Sequence, residues 1–471
     1  MSTGRQPMSW AATYVLGLLW LATFITYAER IAFDVLISNA GRHGLVSEAD
    51  KGRVFAGYLI GFALTNVPGG AIAKRFGGKR ALALAALLVA LSEIPLLVIL
   101  LGESGAPIPV VPILVSRVAT GLVHGLVFPA VHDELSAVKR AHSLSTATVV
   151  TVANGMYLGG AVAATTPLLI AHAGPAAVVI FFAALNLAWF AAAALCCCAR
   201  TAGAEPGASA AGTAKGGEGN WASRDVPQLR RILQHSASLS ILVCTIAFSA
   251  SVFSIMSWLP TFASRALRVE LAQLPAAARA APYIFMYTSV LLGGRCADAL
   301  QALCGVRRAR VLVTAIGNAA AAAVLLCLPL QGRPTASFAL LSFALAAATF
   351  SRAGYAVNHL ETAGAHAGFV LGVNKTAGIL VGAAASFAVG KQIEGSAGDS
   401  PAVWRLLFRT AAAGLSAAAL VYSQCARGDE LFPPEAKAGA RDAEGGEYSS
   451  IEAEVSDYTL TSSVDSDESD N

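Results

Sequence analysis

Apolar stretches of roughly 20 residues, the length a helix needs to cross a bilayer, recur twelve times along the chain with short polar joints between most of them. They fall near residues 11–33, 54–73, 81–101, 110–133, 145–171, 175–198, 236–262, 281–299, 310–330, 336–357, 367–390 and 402–425. This pattern predicts an all-α membrane protein of twelve transmembrane helices. One long polar interruption, residues 200–235, is rich in Ala, Gly, Ser and charge and splits the spans six and six. The expected organisation is a cytosolic N-terminus over 1–10, a six-helix bundle over 11–199 and a cytosolic loop over 200–235. A second six-helix bundle over 236–427 and an acidic, disordered cytosolic tail over 428–471 complete it. The first apolar stretch lacks a small-residue cleavage signal and reads as a retained span rather than a targeting peptide.

Composition sharpens the class. Only 13% of the 471 residues are charged, about half the share of a soluble domain. Basic residues gather in alternate joints. Lys74, Arg75, Lys79 and Arg80 follow span two, Lys139 and Arg140 follow span four, and Arg307, Arg308 and Arg310 lie between spans eight and nine. Arg224, Arg230 and Arg231 lie in the central loop. The positive-inside rule then puts both termini in the cytosol, with Arg42, Lys51 and Arg53 as exceptions beside Glu48 and Asp50. The eight cysteines imply no disulfide framework. Cys196, Cys197 and Cys198 end a span, as palmitoylation candidates or as small apolar residues. No phosphate-cradling G-x-x-x-x-G-K-[ST] and no zinc-ligand spacing occurs. An enzyme, a metal, a cofactor, a nucleic-acid partner and ATP drive are therefore not expected.

Charges within the spans are the candidate chemistry. A charge at bilayer depth costs roughly 3 kcal/mol on insertion scales and survives mostly where it faces a polar cavity. Arg117 and His124 stand seven residues apart in span four, two helical turns, on one face, with Gly121 between them. Arg117 is a candidate anion hook or a pin between helices. His124 is a candidate for proton coupling or a packing histidine. Arg30 in span one is a second guanidinium, binding an anion or snorkelling outward, with Asp34 one turn away. Lys375 and Asn374 in span eleven, and Tyr157 with Asn154 in span five, are further candidates for the substrate. Glu93 in span three faces a wet or interhelical space, and His132, Asp133 and Glu134 close span four.

The two halves echo each other. Gly69-Gly70 leading to Lys74, Arg75, Lys79 and Arg80 corresponds to Gly293-Gly294 leading to Asp298, Arg307 and Arg308. Repeats six spans apart match a rocker-type transporter with its substrate site between the halves. Lys74, Arg75, Asp298 and Glu361 are the expected gate residues. In the tail, Tyr448-Ser-Ser-Ile451 fits a tyrosine-x-x-hydrophobic sorting signal that an adaptor would read, against a plain solvating tail as the alternative.

These residues resemble a particular family. The Gly-rich basic turn is similar to the signature turn of the major facilitator superfamily, with Lys74 where that family has an aspartate and Asp298 keeping it in the second half. Tyr27-x-x-Arg30, Val67-Pro68-Gly69-Gly70 and Arg117-x-x-x-Gly121-x-x-x-Gly125-x-x-x-Pro129 extend the likeness through the first half. Ser257-Trp258-Leu259-Pro260-Thr261, Asn358-His359-Leu360-Glu361 and Gly372-Val373-Asn374 extend it through the second. Together they resemble the anion:cation symporter branch, which includes sialin, vesicular glutamate transporters, sodium–phosphate cotransporters and plant phosphate transporters. The resemblance implies essential arginines at Arg30 and Arg117 and a coupling glutamate where this chain has His124. Phe55 and Phe248 stand where vesicular glutamate transporters carry a histidine and an arginine, which argues against that subgroup.

The expected function is secondary active transport of a small organic or inorganic anion, of the phosphate or carboxylate class, by alternating access. The expected coupling ion is H+ or Na+, and the expected membrane is endolysosomal, vesicular or plasma. A transport-deficient receptor or scaffold of the same fold, or a facilitator of another solute class, are the competing expectations.

Overall fold

The computed structural model describes residues 10–42, 48–102, 109–142, 144–203, 221–269, 275–328, 333–395 and 400–431. Twelve long helical segments account for almost all of them. The first six are α1 (Trp10–Arg42), α2 (Glu48–Phe76), α3 (Gly78–Leu101), α4 (Val110–His142), α5 (Thr146–Ala163) and α6 (Pro175–Gly203). The second six are α7 (Ser236–Thr261), α8 (Ala276–Cys304), α9 (Val306–Cys327), α10 (Pro334–Thr362), α11 (Ala367–Gly395) and α12 (Pro401–Cys425). All lie in one compact unit, Met1–Asp429.

Ten of these segments are long and apolar enough to cross a membrane. The two that fall short are α2 and α8, the second member of each six. Both are 29 residues long, but their polar residues serve the seam between the halves. α2 packs on α11 and α8 packs on α5. A Cβ added to Gly70 would stand 2.6 Å from the backbone of Phe369, and one on Gly294 would stand 2.8 Å from Ala147 Cα. These glycines occupy matching places in the two basic turns, and each lets its helix touch the opposite half. The turns match in backbone as well. Gly77 and Gly305 both take a left-handed φ, 85° and 81°, immediately before α3 and α9, a conformation that a Cβ would strain.

Helix breaks refine the expected spans. α3 is interrupted at Glu93, ahead of Pro95, which cannot donate to the helical ladder. α5 is interrupted at Asn154 and ends at Ala163, with a separate short helix, Thr166–Ala173, where a single span over 145–171 was expected. The central loop carries a helix, Trp221–Gln234, whose Leu229 and Ile232 are buried while Arg230 and Arg231 face outward. Its amphipathic stripe was hidden by the surrounding Gly/Ser composition. α2 and α4 are the most intimate pair within the first six. A Cβ on Gly61 or on Gly121 would collide with the backbone carbonyls of Val118 and Tyr58, respectively. Small residues here replace the apolar drive that lipid does not supply.

Candidate functional site

A cavity lies between the two sets of six helices. Three cations line it: Arg30 from α1, Arg352 from α10 and Lys375 from α11. Among the described residues, no Asp or Glu lines it. Tyr27, Tyr58, Tyr157 and Tyr283 add aromatic faces with hydroxyls, and Asn374 and His359 add polar edges. Among the described residues, the Tyr157 hydroxyl and both ring nitrogens of His359 have no hydrogen-bond partner.

Each cation is held against an aromatic ring. The Arg30 guanidinium stands 5.6 Å from the Tyr27 centroid and 5.4 Å from that of Tyr58. Arg352 lies 4.9 Å from the Phe248 centroid, and its Nε donates to Asn154 Oδ1 at 3.3 Å. Asn154 is the residue at which α5 breaks, so the break turns a side-chain amide toward the opposite half. Lys375 Nζ stands 4.1 Å from the Phe128 centroid of α4. Ring faces partly offset the desolvation of a cation without neutralising it. The cavity therefore keeps positive charge available to a ligand, with Asp34 acting on Arg30 alone of the three.

Arg117 does not line this cavity. Its guanidinium packs 3.7 Å from the Phe33 centroid and 4.9 Å from that of Tyr58, and Nη1 lies 3.5 Å from Glu93 Oε1. His124 is likewise behind the wall. Its Nδ1 hydrogen-bonds the Tyr58 hydroxyl at 3.1 Å, and its Nε2 lies 3.7 Å from Glu29 Oε2, which also accepts from Asn186 at 2.8 Å. Arg117 and His124 do share a face, as the seven-residue spacing predicts, but it is turned toward α1, α2 and α3. Tyr58 is the partition, with the Arg30 guanidinium and the Arg117 guanidinium both against its ring.

The gate candidates gather at the end of the molecule that carries the basic turns. Glu361 of α10 accepts from both nitrogens of an Arg310 fork on α9 and from Lys139 Nζ of α4 at 3.1 Å, so one carboxylate ties the halves together. Asp298 of α8 accepts from the backbone N–H groups of Thr146 and Ala147, at the start of α5, at 2.5 and 2.9 Å. A carboxylate there complements the positive end of the helix. Ser136 Oγ donates to Gly364 O at 3.0 Å, and the His132 and His359 rings stand 5.2 Å apart across the same seam. Arg75 is exposed beside Phe76. The Lys74 side chain and the Tyr448–Ile451 signal lie outside the described residues.

Sequence reasoning thus named Arg30, Tyr157, Asn374 and Lys375, which the cavity brings together, and Arg117, which it does not. Arg352, Tyr58 and Glu29 were missed. Arg352 stands in an apolar run, and the intramembrane-charge argument applied to Arg117 would have found it. Glu29 was legible in the same way, as a second charge beside Arg30. Tyr58 carried no such signal.

Comparison with known proteins bears on this geometry. The family model described as Major Facilitator Superfamily matches residues 19–386. "Probable anion transporter 5" of Arabidopsis thaliana is 28% identical over 412 residues, covering 84% of this chain and 92% of the relative. "Probable anion transporter 7" of Oryza sativa subsp. japonica is 29% identical, covering 84% and 90%. "Sodium-dependent phosphate transport protein 1, chloroplastic" of Arabidopsis thaliana is 25% identical, covering 82% and 75%. Among solved structures, the proton:xylose symporter XylE has a TM-score of 0.65 at 14% identity, covering 89% and 97%. The E. coli fucose:proton symporter FucP has a TM-score of 0.62 at 11% identity, covering 88% and 98%.

Proposed function

Since the chain belongs to the major facilitator superfamily, and is a multi-pass membrane transporter rather than an enzyme, we propose that it moves a small anion of the phosphate or carboxylate class across a membrane. The single observation that carries this is the central cavity, where Arg30, Arg352 and Lys375 converge from both halves with no carboxylate among the described lining residues. An anion seated among them would restore the charge balance that burial otherwise makes costly. Guanidinium forks from α1 and α10 would grip the planar or tetrahedral head bidentately. Tyr157 and Asn374 would donate to its remaining oxygens.

Alternating access follows from the seam. At the basic end the halves are joined by Lys139–Glu361–Arg310 and by Asp298 on the start of α5, and a bound anion drawing Arg30 and Arg352 together favours closing the opposite end. The basic turns support an orientation with that end and both termini in the cytosol. The names of the plant relatives support the anion class, and the sodium-dependent relative and the proton symporters of the same fold support ion coupling. Membrane address and any adaptor at the tail stay with the sequence expectations of an endolysosomal, vesicular or plasma membrane. The cavity's cationic and polar lining favours transport over a receptor or scaffold that has lost it.

The test is flux into proteoliposomes holding the purified protein, with labelled phosphate and a panel of mono- and dicarboxylates. Imposed pH and sodium gradients are varied separately. Saturable uptake of at least one anion, competed by others of its class, is the expected outcome. Uptake or thermal stabilisation only by cations or neutral sugars would overturn the assignment.

A further inference from the structure

Behind the cavity wall the buried Glu29, Glu93 and Arg117 meet, with the half-buried Asp34 and the cavity-lining Arg30 beside them, all within the first six helices. Glu29, Arg30 and Asp34 come from α1, Glu93 from the break in α3, and Arg117 from α4. Glu29, Glu93 and Arg117 are all nearly inaccessible, at 2%, 2% and 1% exposure. The Glu29 and Glu93 carboxyls interact with one another, Arg117 acts on both, and Asp34 acts with Arg30 and Arg117. His124 of α4 and Tyr58 of α2 are the other titratable groups facing Glu29, and α6 contributes the neutral amide of Asn186.

The buried trio therefore has two carboxyls and one guanidinium, while Asp34 acts with Arg30 on the cavity side. A surplus negative charge in so dry a place is costly, and two carboxylates sharing a site do not both ionise readily. Among the described residues, Glu29 Oε1, Glu93 Oε1 and both Arg117 Nη atoms have no hydrogen-bond partner, so the trio has room for a proton to supply a donor between its carboxyls. A single proton gives one carboxyl a donor, leaves the other carboxylate to Arg117, and brings the cluster to neutrality.

We propose that Glu29 and Glu93 form a shared proton-binding site, with Arg117 as its counter-charge and His124 as an uncharged hydrogen-bonding neighbour rather than the proton carrier. The proposal rests on the transport function above and supplies its coupling ion. Glu29 and Arg30 are consecutive on α1, one turned to the cluster and the other to the cavity, with the Tyr58 ring between the two sides. A proton on the carboxyl pair removes a negative charge close behind Arg30, which frees that guanidinium for the anion. An anion on Arg30 in turn raises the negative charge near the pair and favours the proton. Each ligand makes the other easier to bind, and reciprocity of that kind is what a proton–anion symporter requires.

Infrared spectroscopy of the purified protein in lipid tests the site without any need for transport. The expected result is a C=O stretch of a buried protonated carboxyl group in the wild type at neutral pH. That stretch is lost in Glu29→Gln and lost again in Glu93→Gln, because the remaining carboxylate then pairs with Arg117. Either single variant keeps that ion pair, so neither leaves an unpaired buried charge. In proteoliposomes both variants keep anion counterflow, while accumulation driven by a pH gradient falls to the no-gradient level; His124→Gln keeps both. Absence of the stretch in the wild type, or its persistence in both single variants, overturns the site. Sodium-dependent stabilisation abolished by the same two variants also overturns it, by making the pair a sodium site. Wild-type protein that shows the stretch but exchanges no anion refutes the transport function and leaves the proton site standing.

Discussion

Replacing Arg352 with glutamine removes one of three cavity cations while keeping a shorter, neutral polar side chain. The guanidinium sits at the end of a restraining set: Phe248 under its plane and Asn154 on Nε, at 4.9 and 3.3 Å. It is therefore held in place before any ligand arrives, and little ordering cost is left for binding. A hydrogen bond to a charged group is worth about 1.5–3 kcal/mol. The upper end applies in a site shielded from water, and about 3 kcal/mol corresponds to roughly a 100-fold weaker anion. Arg30 and Lys375 remain, so transport is weakened rather than abolished. The ring contact with Phe248, worth about 1 kcal/mol, is lost in free and loaded protein alike and lowers thermal stability without changing affinity. Counterflow at increasing anion concentration reads the effect as a raised KM. Arg352→Lys, which keeps the charge and loses the fork, falls between the two. A KM for Arg352→Gln within about threefold of wild type, well below the shift expected from one charge-assisted bond, would refute the role of Arg352 in holding the anion.

Three further outcomes are expected. Arg117→Gln leaves Glu29 and Glu93 without their buried counter-charge and destabilises the protein by about 3–5 kcal/mol, seen as a lowered melting temperature in detergent; Glu93→Gln in the same chain recovers much of the loss. Glu361→Gln loosens the Lys139–Glu361–Arg310 tie and raises maleimide labelling of a cysteine placed at the basic end of the cavity, with anion KM little changed. Gly372→Val drives a side chain into the backbone carbonyl of Asn66 on α2; it holds the seam apart and cuts transport at least tenfold, while binding of the anion, read by thermal shift, survives. Equal transport by Gly372→Val would mean that the α2–α11 contact is not part of the cycle.

Much of the fold was legible because lipid imposes few rules and each leaves a mark on the chain. Twelve apolar runs, alternate basic joints and a paired Gly-rich turn follow from span length, backbone satisfaction and leaflet charge, all local properties. Arg30, Tyr157, Asn374 and Lys375 were legible as polar residues in apolar runs. The identity of the residues facing the cavity was not. A period of 3.6 tells which side chains share a face, but not which neighbour that face meets. Arg117 and His124 share a face as their spacing requires, yet the packing of α4 against α2 through Gly61 and Gly121 turns it to Glu29 and Glu93 instead of to the cavity.

Sequence alone determined that this chain is a twelve-helix membrane protein with costly cations inside it, because hydrophobicity and charge are properties of residues. Tertiary structure decided which cations stay free for a ligand and which are matched by carboxyls. That distinction depends on helix rotation and on contacts between residues as distant along the chain as Asn154 and Arg352. No one-dimensional pattern carries such contacts.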